Sequence, residues 1–196
     1  MKTLFSDDFS GYEVAEVIRV PLEKPGPHLG AWRQSTLHYI WRSPRFGSWM
    51  ETAFPWMIGE EKGRRYIELP DVLMNAVLTA GEERWRNYEV GAELAWTGQG
   101  TIGVMFRYQT SRHNYRLDFV EGRLLRIVRR NDEKEVTLAE QEFPIQTGRW
   151  YAVRVVLEDS RIRGFVDEKL AFDLEDAMYA FGSIGLRWRG RADVRT

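Results

Sequence analysis

The residues of this chain best suited to chemistry are acids and arginines on neighbouring extended segments. Glu93, Arg107, Arg116 and Asp118 fall on three such segments and could line one polar face. Glu93 and Asp118 are the candidate acids for a hydrolytic reading, and Arg107, Arg116, Asp118 and Arg187 are candidates for holding a polar ligand. The competing reading is cross-strand ion pairing on a solvent-facing sheet. Glu89 and Glu93 share a strand, but four residues of extended chain separate them by ~13 Å. That exceeds the roughly 5–9.5 Å over which two carboxylates flank a glycosidic bond. Glu158, Asp159, Asp173, Glu175 and Asp176 fall at strand ends and turns, where acids are simply solvated. A second group is aromatic: Trp32, His38, Tyr39, Trp41, Phe46, Trp49, Phe54 and Trp56, interleaved with Arg33, Arg42 and Arg45. Rings beside planar donors suit a sugar, with Trp32, Trp41 and Trp49 as candidate plates. The alternative is that these rings cap the sandwich or pack on a neighbouring domain.

Other chemistries find less support. The 196 residues include no cysteine, which excludes disulfides, thiolate metal sites and cysteine catalysis. His28, His38 and His113 are isolated, without a second histidine at zinc spacing. No glycine-rich phosphate loop leads from a strand into a helix, and no serine sits in an elbow motif. With 28 basic and 29 acidic residues the net charge is −1, which gives no general pull toward nucleic acid. The clusters Arg123, Arg126, Arg129, Arg130 and Arg187, Arg189, Arg191 read as strand edges and turns. No apolar run reaches membrane-spanning or signal-peptide length, so a native Met1 implies a cytoplasmic protein and no membrane partner.

The elements that must position these groups are strands. In Arg149 to Glu158, Tyr151, Val153, Val155 and Leu157 share one face, and a period of two means a half-buried strand. The same alternation runs through Arg86 to Trp96, Thr101 to Gln109, Asn114 to Val120, Arg123 to Arg130, Glu135 to Phe143, Arg161 to Val166, Leu170 to Leu174 and Ser183 to Arg189. In Thr101 to Gln109 it puts Ile102, Val104, Phe106 and Tyr108 inward, with Met105 and Arg107 outward. Val14 to Val20, Leu37 to Trp41, Met50 to Phe54 and Arg64 to Leu69 are shorter candidates. Val72 to Thr79 leads into the regular region, and Asp176 to Phe181 reads as a short helical turn. Closely spaced strands with short turns predict an all-β, two-sheet antiparallel β-sandwich. The 196 residues suit a single such domain, with residues 21–63 as a less regular, aromatic-rich segment.

Particular stretches also resemble a family. Phe5-Ser-Asp-Asp-Phe-Ser-Gly11, Trp85-Arg-Asn-Tyr-Glu-Val-Gly-Ala-Glu-Leu94 and Gly103-Val-Met-Phe-Arg-Tyr-Gln109 with Asn114-Tyr-Arg-Leu-Asp118 carry the likeness. So do Gly148-Arg-Trp-Tyr-Ala-Val-Arg-Val155, Ile162-Arg-Gly-Phe-Val-Asp-Glu168 and Gly182-Ser-Ile-Gly-Leu186. Together they resemble the laminin-G-like modules of the concanavalin A-like lectin and glucanase superfamily. The resemblance implies a jelly roll and an oligosaccharide or polysaccharide partner. It also implies a structural calcium near the chain ends, for which Asp7, Asp8 and Asp193 stand in position. The Glu-x-Asp-x-x-Glu strand motif of laminarinase-type glucanases is absent. The related 3-keto-disaccharide hydrolases are similar around Gly103 to Asp118. The closing strand is shorter than the family's and the stretch from Pro21 to Gly63 longer, which suggests a module of a longer protein. The resulting expectation is a non-catalytic, lectin-like module beside a catalytic domain, requiring no cofactor beyond that possible calcium. The alternatives are a glycoside hydrolase of the 3-keto-disaccharide type and a structural domain for interdomain or subunit contacts.

Overall fold

A computed structural model describes residues 2–11, 17–18, 33–34, 56–68 and 75–190. Trp32, Trp41, Trp49 and Asp193, and the candidate strands Leu37 to Trp41 and Met50 to Phe54, lie outside the described residues. The described strands are β1 (Val17–Ile18), β2 (Arg33–Gln34), β3 (Trp56–Glu61), β4 (Arg64–Glu68), β5 (Asn75–Ala80), β6 (Glu89–Ala95) and β7 (Thr101–Thr110). They continue with β8 (His113–Val120), β9 (Leu124–Asn131), β10 (Lys134–Glu142), β11 (Trp150–Glu158), β12 (Arg161–Val166), β13 (Lys169–Glu175) and β14 (Ser183–Arg189). All pair antiparallel, in a seven-stranded sheet ordered β10-β9-β8-β7-β14-β5-β2, a four-stranded sheet ordered β13-β12-β11-β6 and a small sheet β1-β3-β4. The expected all-β sandwich is therefore what the chain forms.

The two larger sheets face each other through the apolar half of each strand. Tyr115, Leu117 and Phe119 of β8, Leu125 and Ile127 of β9, and Val104 and Phe106 of β7 meet Tyr151, Val153, Val155 and Leu157 of β11 in one buried cluster. Phe119 meets Tyr151 edge-on with ring centroids 5.4 Å apart, a geometry favoured by the opposed charge of ring face and edge. Fully burying a side chain such as Leu117 contributes about 2 kcal/mol. Gly164 of β12 lets the sheets close on this layer: a Cβ there would sit 2.9 Å from Leu117 Cδ1.

Two local expectations are corrected. Asp176 to Phe181 forms no helical turn, and no helix occurs among the described residues. Its backbone is instead engaged with side chains from the sheets: Tyr115 accepts a bond from the Tyr179 N–H (3.2 Å), and the Tyr179 carbonyl accepts one from Arg107 (2.9 Å). Arg107 does not face outward. It adopts φ +45°, and the β7–β8 and β7–β14 registers both slip there. A bulge of this kind re-aims the side chains that follow it. Tyr108 consequently packs with Met105 and Val77, while the Arg107 guanidinium crosses to the other sheet.

Candidate functional site

The side of β8 opposite the core carries Asn114, Arg116 and Asp118, because Tyr115, Leu117 and Phe119 take the inner positions. Asp118 is directly opposite Gly103 on β7, and Gly103 is directly opposite Arg187 on β14. With no side chain at 103, Asp118 and Arg187 meet across the intervening strand. Asp118 Oδ2 accepts hydrogen bonds from Arg116 Nε (2.8 Å) and Arg187 Nη1 (3.0 Å). A Cβ on Gly103 would lie 2.4 Å from Asp118 Oδ1 and 2.6 Å from the Leu117 carbonyl oxygen, so glycine is a condition of the cluster. Glu135 of β10 adds a second anion, its Oε2 standing 2.6 Å from Arg116 Nη2. That contact joins charge to charge off the N–H axis, and Arg116 Nη2 has no aligned acceptor.

The cluster is buried: Arg116 is 2%, Asp118 0% and Arg187 5% exposed. Burial disfavours the charged forms of Arg116, Arg187 and Glu135. Arg187 is pushed down to about 10, chiefly by desolvation, with Asp118 opposing; it stays charged at neutral pH. Desolvation would also lower Arg116, but the charges of Asp118 and Glu135 outweigh it and hold Arg116 above its ordinary value. Burial pushes Glu135 up, yet the facing Arg116 charge prevails and holds it below the usual carboxylate range. Two acceptors remain without a partner, Asp118 Oδ1 and Asn114 Oδ1, although Asn114 Nδ2 donates to the Thr110 carbonyl at 3.0 Å. Leaving a buried polar atom unsatisfied costs about 1–3 kcal/mol.

A separate polar network closes one end of the sandwich, and Arg107 belongs to it. Arg107 Nη1 donates to the Tyr179 carbonyl (2.9 Å) and Nη2 to that of Asp159, while its N–H donates to the Tyr88 hydroxyl (2.6 Å). Asp176 accepts from the Tyr115 hydroxyl and pairs with Arg129. Burial, chiefly, pushes the Tyr88 and Tyr115 hydroxyls well above the usual phenol range. These groups tie the Asp176–Gly182 loop to both sheets.

The candidate acids are not brought together. Val90 and Leu94 turn into the core, so Glu93 faces outward from the four-stranded sheet, whereas Asp118 faces outward from the other sheet. Outer faces of opposite sheets cannot flank one glycosidic bond, so Glu93 and Asp118 do not form a hydrolytic pair. Glu93 pairs with Arg64, whose guanidinium lies 5.1 Å from the Trp150 ring centroid. A cavity of about 1600 Å³ lies there, between β4, β6, β14 and residues 2–10; Arg116 and Asp118 do not line it, and Trp85, Trp96, Trp150 and Trp188 do. Arg64 already occupies a face of Trp150, which leaves that ring less suited to a sugar.

Asp7 and Asp8 form turns near the start of the chain. Asp7 Oδ1 accepts from the Phe9 N–H (2.8 Å) and Asp8 Oδ1 from the Ser10 N–H (3.0 Å). Among the described residues no group of three acids or histidines could hold a metal, whereas calcium takes roughly six to eight oxygens. Three of the sequence candidates, Arg116, Asp118 and Arg187, thus form one cluster; Arg107 and Glu93 stand apart. Gly103 and Glu135 complete that cluster and were not read as site residues. The alternation of Asn114 with Arg116 and Asp118 was the visible signal.

Comparison with known proteins rests on the fold. No protein-family model matches the chain, and no curated protein matches it in sequence. Among solved structures it is similar to the carbohydrate-binding module CBM66 from Bacillus subtilis, with TM-score 0.59 and 16% identity over 69% of this chain and 85% of that one. It is also similar to a GH16 enzyme of a Bacteroides ovatus mixed-linkage glucan locus, solved with a glucan product, with TM-score 0.57 and 8% identity over 97% of this chain and 88% of that one. A sialidase matches with TM-score 0.50 and 17% identity over 71% of this chain, which corresponds to 13% of that protein. The antiparallel two-sheet architecture and these neighbours together show that the chain has a concanavalin A-like jelly-roll fold.

Proposed function

We propose that the protein is a non-catalytic carbohydrate-binding module whose polar centre is the Arg116–Asp118–Arg187 cluster on the outer face of the seven-stranded sheet. The observation that carries this reading is Asp118: a fully buried carboxylate gripped by two arginines, with its second oxygen unpartnered and turned over the bare backbone of Gly103. The chain covers that oxygen, so a ligand hydroxyl would complete its bond only after displacing the groups packed over it. The fold neighbours described as a carbohydrate-binding module and a glucanase support the ligand class. An accessory role beside a catalytic domain is the finer form of the proposal, motivated by the resemblance of the chain to such modules. The outward separation of Glu93 and Asp118 is what favours binding over hydrolysis.

The chain itself already encloses Arg116, Asp118 and Arg187, which favours a second reading: the cluster is structural, in a domain that serves interdomain or subunit contacts through other surfaces. A glycan array on the whole chain, repeated with Asp118→Asn and followed by melting curves, separates the two. The binding reading predicts glycan capture that Asp118→Asn abolishes while the variant stays folded. Silence toward every glycan at millimolar concentration would leave only the contact reading.

A further inference from the structure

We infer that the gap between β4 and β6 is a docking site for an extended segment of a partner polypeptide, which adds there as one strand antiparallel to both. The floor of the gap is incompletely covered. Leu186 of β14 is directly opposite Leu78 on β5 and Val104 on β7. Those two neighbours are 0% and 1% exposed, yet Leu186 between them is only partly buried, as are Ile184 and Trp188 on the same face. The second layer explains the difference. The four-stranded sheet ends at β6, the small sheet ends at β4, and the two are not hydrogen-bonded to each other. The cavity of about 1600 Å³ opens in that gap and reaches Ile184, Leu186 and Trp188.

The edges of the gap define its occupant. The Leu157 N–H donates to the Tyr88 carbonyl, so the register with β11 turns the backbone groups of Val90, Ala92 and Leu94 toward that strand. Those of Glu89, Gly91, Glu93 and Ala95 point the other way, where among the described residues no strand pairs with them. Two contacts cross the gap, and they advance in step. Arg64 pairs with Glu93; two residues on, the Tyr66 ring centroid lies 5.4 Å from that of Trp150, the strand partner of Ala95. β4 and β6 therefore run in the same direction. Paired strands here are all antiparallel, so the gap has the polarity of one missing strand. Such a strand leaves two strand spacings, ~10 Å, between its neighbours, a span that an arginine and a glutamate reaching toward each other cover. Backbone donors and acceptors at every second residue are matched more fully by a polypeptide strand than by a sugar. Alternate side chains of that strand meet Ile184 and Leu186 and are apolar; the others meet Arg64, Tyr66 and Glu93 and are small or polar. Residues 2–10 border the same cavity, with Phe5 and Phe9 against the Ile58–Leu78 cluster, but belong to no strand.

The test is selection of random nine-residue peptides displayed on phage against the whole chain, followed by residue-resolved amide hydrogen exchange with the tightest peptide made synthetically. The inference predicts peptides with apolar residues at every second position. It predicts exchange slowed about tenfold or more at Glu89, Gly91, Glu93 and Ala95, with Val90, Ala92 and Leu94, already bonded to β11, unchanged. Gly91→Pro removes an edge-facing N–H and spares the β11 ladder; it should weaken the peptide about tenfold. The exchange map of the unaltered chain does not depend on that variant folding. Selection of no peptide, or of peptides that protect other amides, overturns the inference. So does a neutral tetrasaccharide that slows exchange at the same four amides, which makes the gap a glycan groove.

Discussion

The two sheets turn outer faces of similar composition to very different surroundings. On the four-stranded sheet, Arg154 bridges Glu89 and Glu168, Arg161 pairs with Asp173, and Arg163 with Glu158, with side chains 27–74% exposed. On the seven-stranded sheet, Arg116, Asp118 and Arg187 form the same kind of pairs at 0–5% exposure. Exposed pairs contribute little, because water already solvates both partners. Unmade bonds occur on both faces, since Arg154 Nε and Arg163 Nε also lack acceptors; what sets the seven-stranded face apart is that its pairs carry the desolvation cost of full burial. The alternation of charge along a strand is the same in both cases; what differs is the medium.

Removing a partner on each face is the sharpest way to break this contrast. Asp118→Ala removes the buried carboxylate facing Arg187 and leaves Arg116 to Glu135 alone, and should cost about 3–5 kcal/mol in urea denaturation. A cost below about 1 kcal/mol, the range of exposed pairs, would erase the distinction. Glycines give a second contrast of opposite sign. Gly103→Ala drives a methyl into Asp118 and the Leu117 backbone and should cost about 1–3 kcal/mol. Gly91, on the outer face of the four-stranded sheet, meets nothing closer than the Val153 carbonyl oxygen at 3.7 Å. Gly91→Ala should therefore stabilise by about 0.5 kcal/mol through the unfolded chain, as read from the denaturation midpoint.

The pH dependence separates the faces more gently. Burial raises Glu135, but the Arg116 charge outweighs it and leaves Glu135 below its ordinary value of 4.5. The unfolded chain thus binds this proton more readily, so Glu135 adds stability above that ordinary value. The contribution is lost as pH falls through the depressed folded value. Glu135→Gln should flatten the stability profile in that acid window and leave the region above pH 6 parallel to the parent. The smallest effect is expected for Asp173→Asn in the exposed Arg161 pair: a melting temperature within error of the parent, checked by differential scanning fluorimetry.

Much of the sandwich was legible because a strand half in the core writes its period into the sequence. That is why β6 to β14 fall within a residue or a few of the alternating segments. β3 and β5 were less so. Trp56–Glu61 alternates poorly, and its signal lay in the turn, where Lys62 and Gly63 adopt φ +53° and +77° and close β3 onto β4. Asn75–Ala80 reads as a near-continuous apolar run, the mark of a strand covered on both sides, which periodicity alone does not identify. Arg107 shows the limit of counting: one bulged residue reverses inward and outward, and nothing in Phe106-Arg107-Tyr108 announces it. At the site, Arg116 and Asp118 were readable from their spacing. Their union with Arg187 and Glu135 was not, because it depends on β14 inserting beside β7 and on the β8–β9–β10 register.

The most direct measurement is to map backbone amide shifts by NMR as a neutral tetrasaccharide is added to the whole chain. The account predicts perturbations centred on Gly103, Asn114, Arg116, Asp118 and Arg187, with Glu89, Arg154, Arg161 and Asp173 unmoved. Shifts centred on the four-stranded sheet, with Asp118 and its neighbours silent, would contradict it.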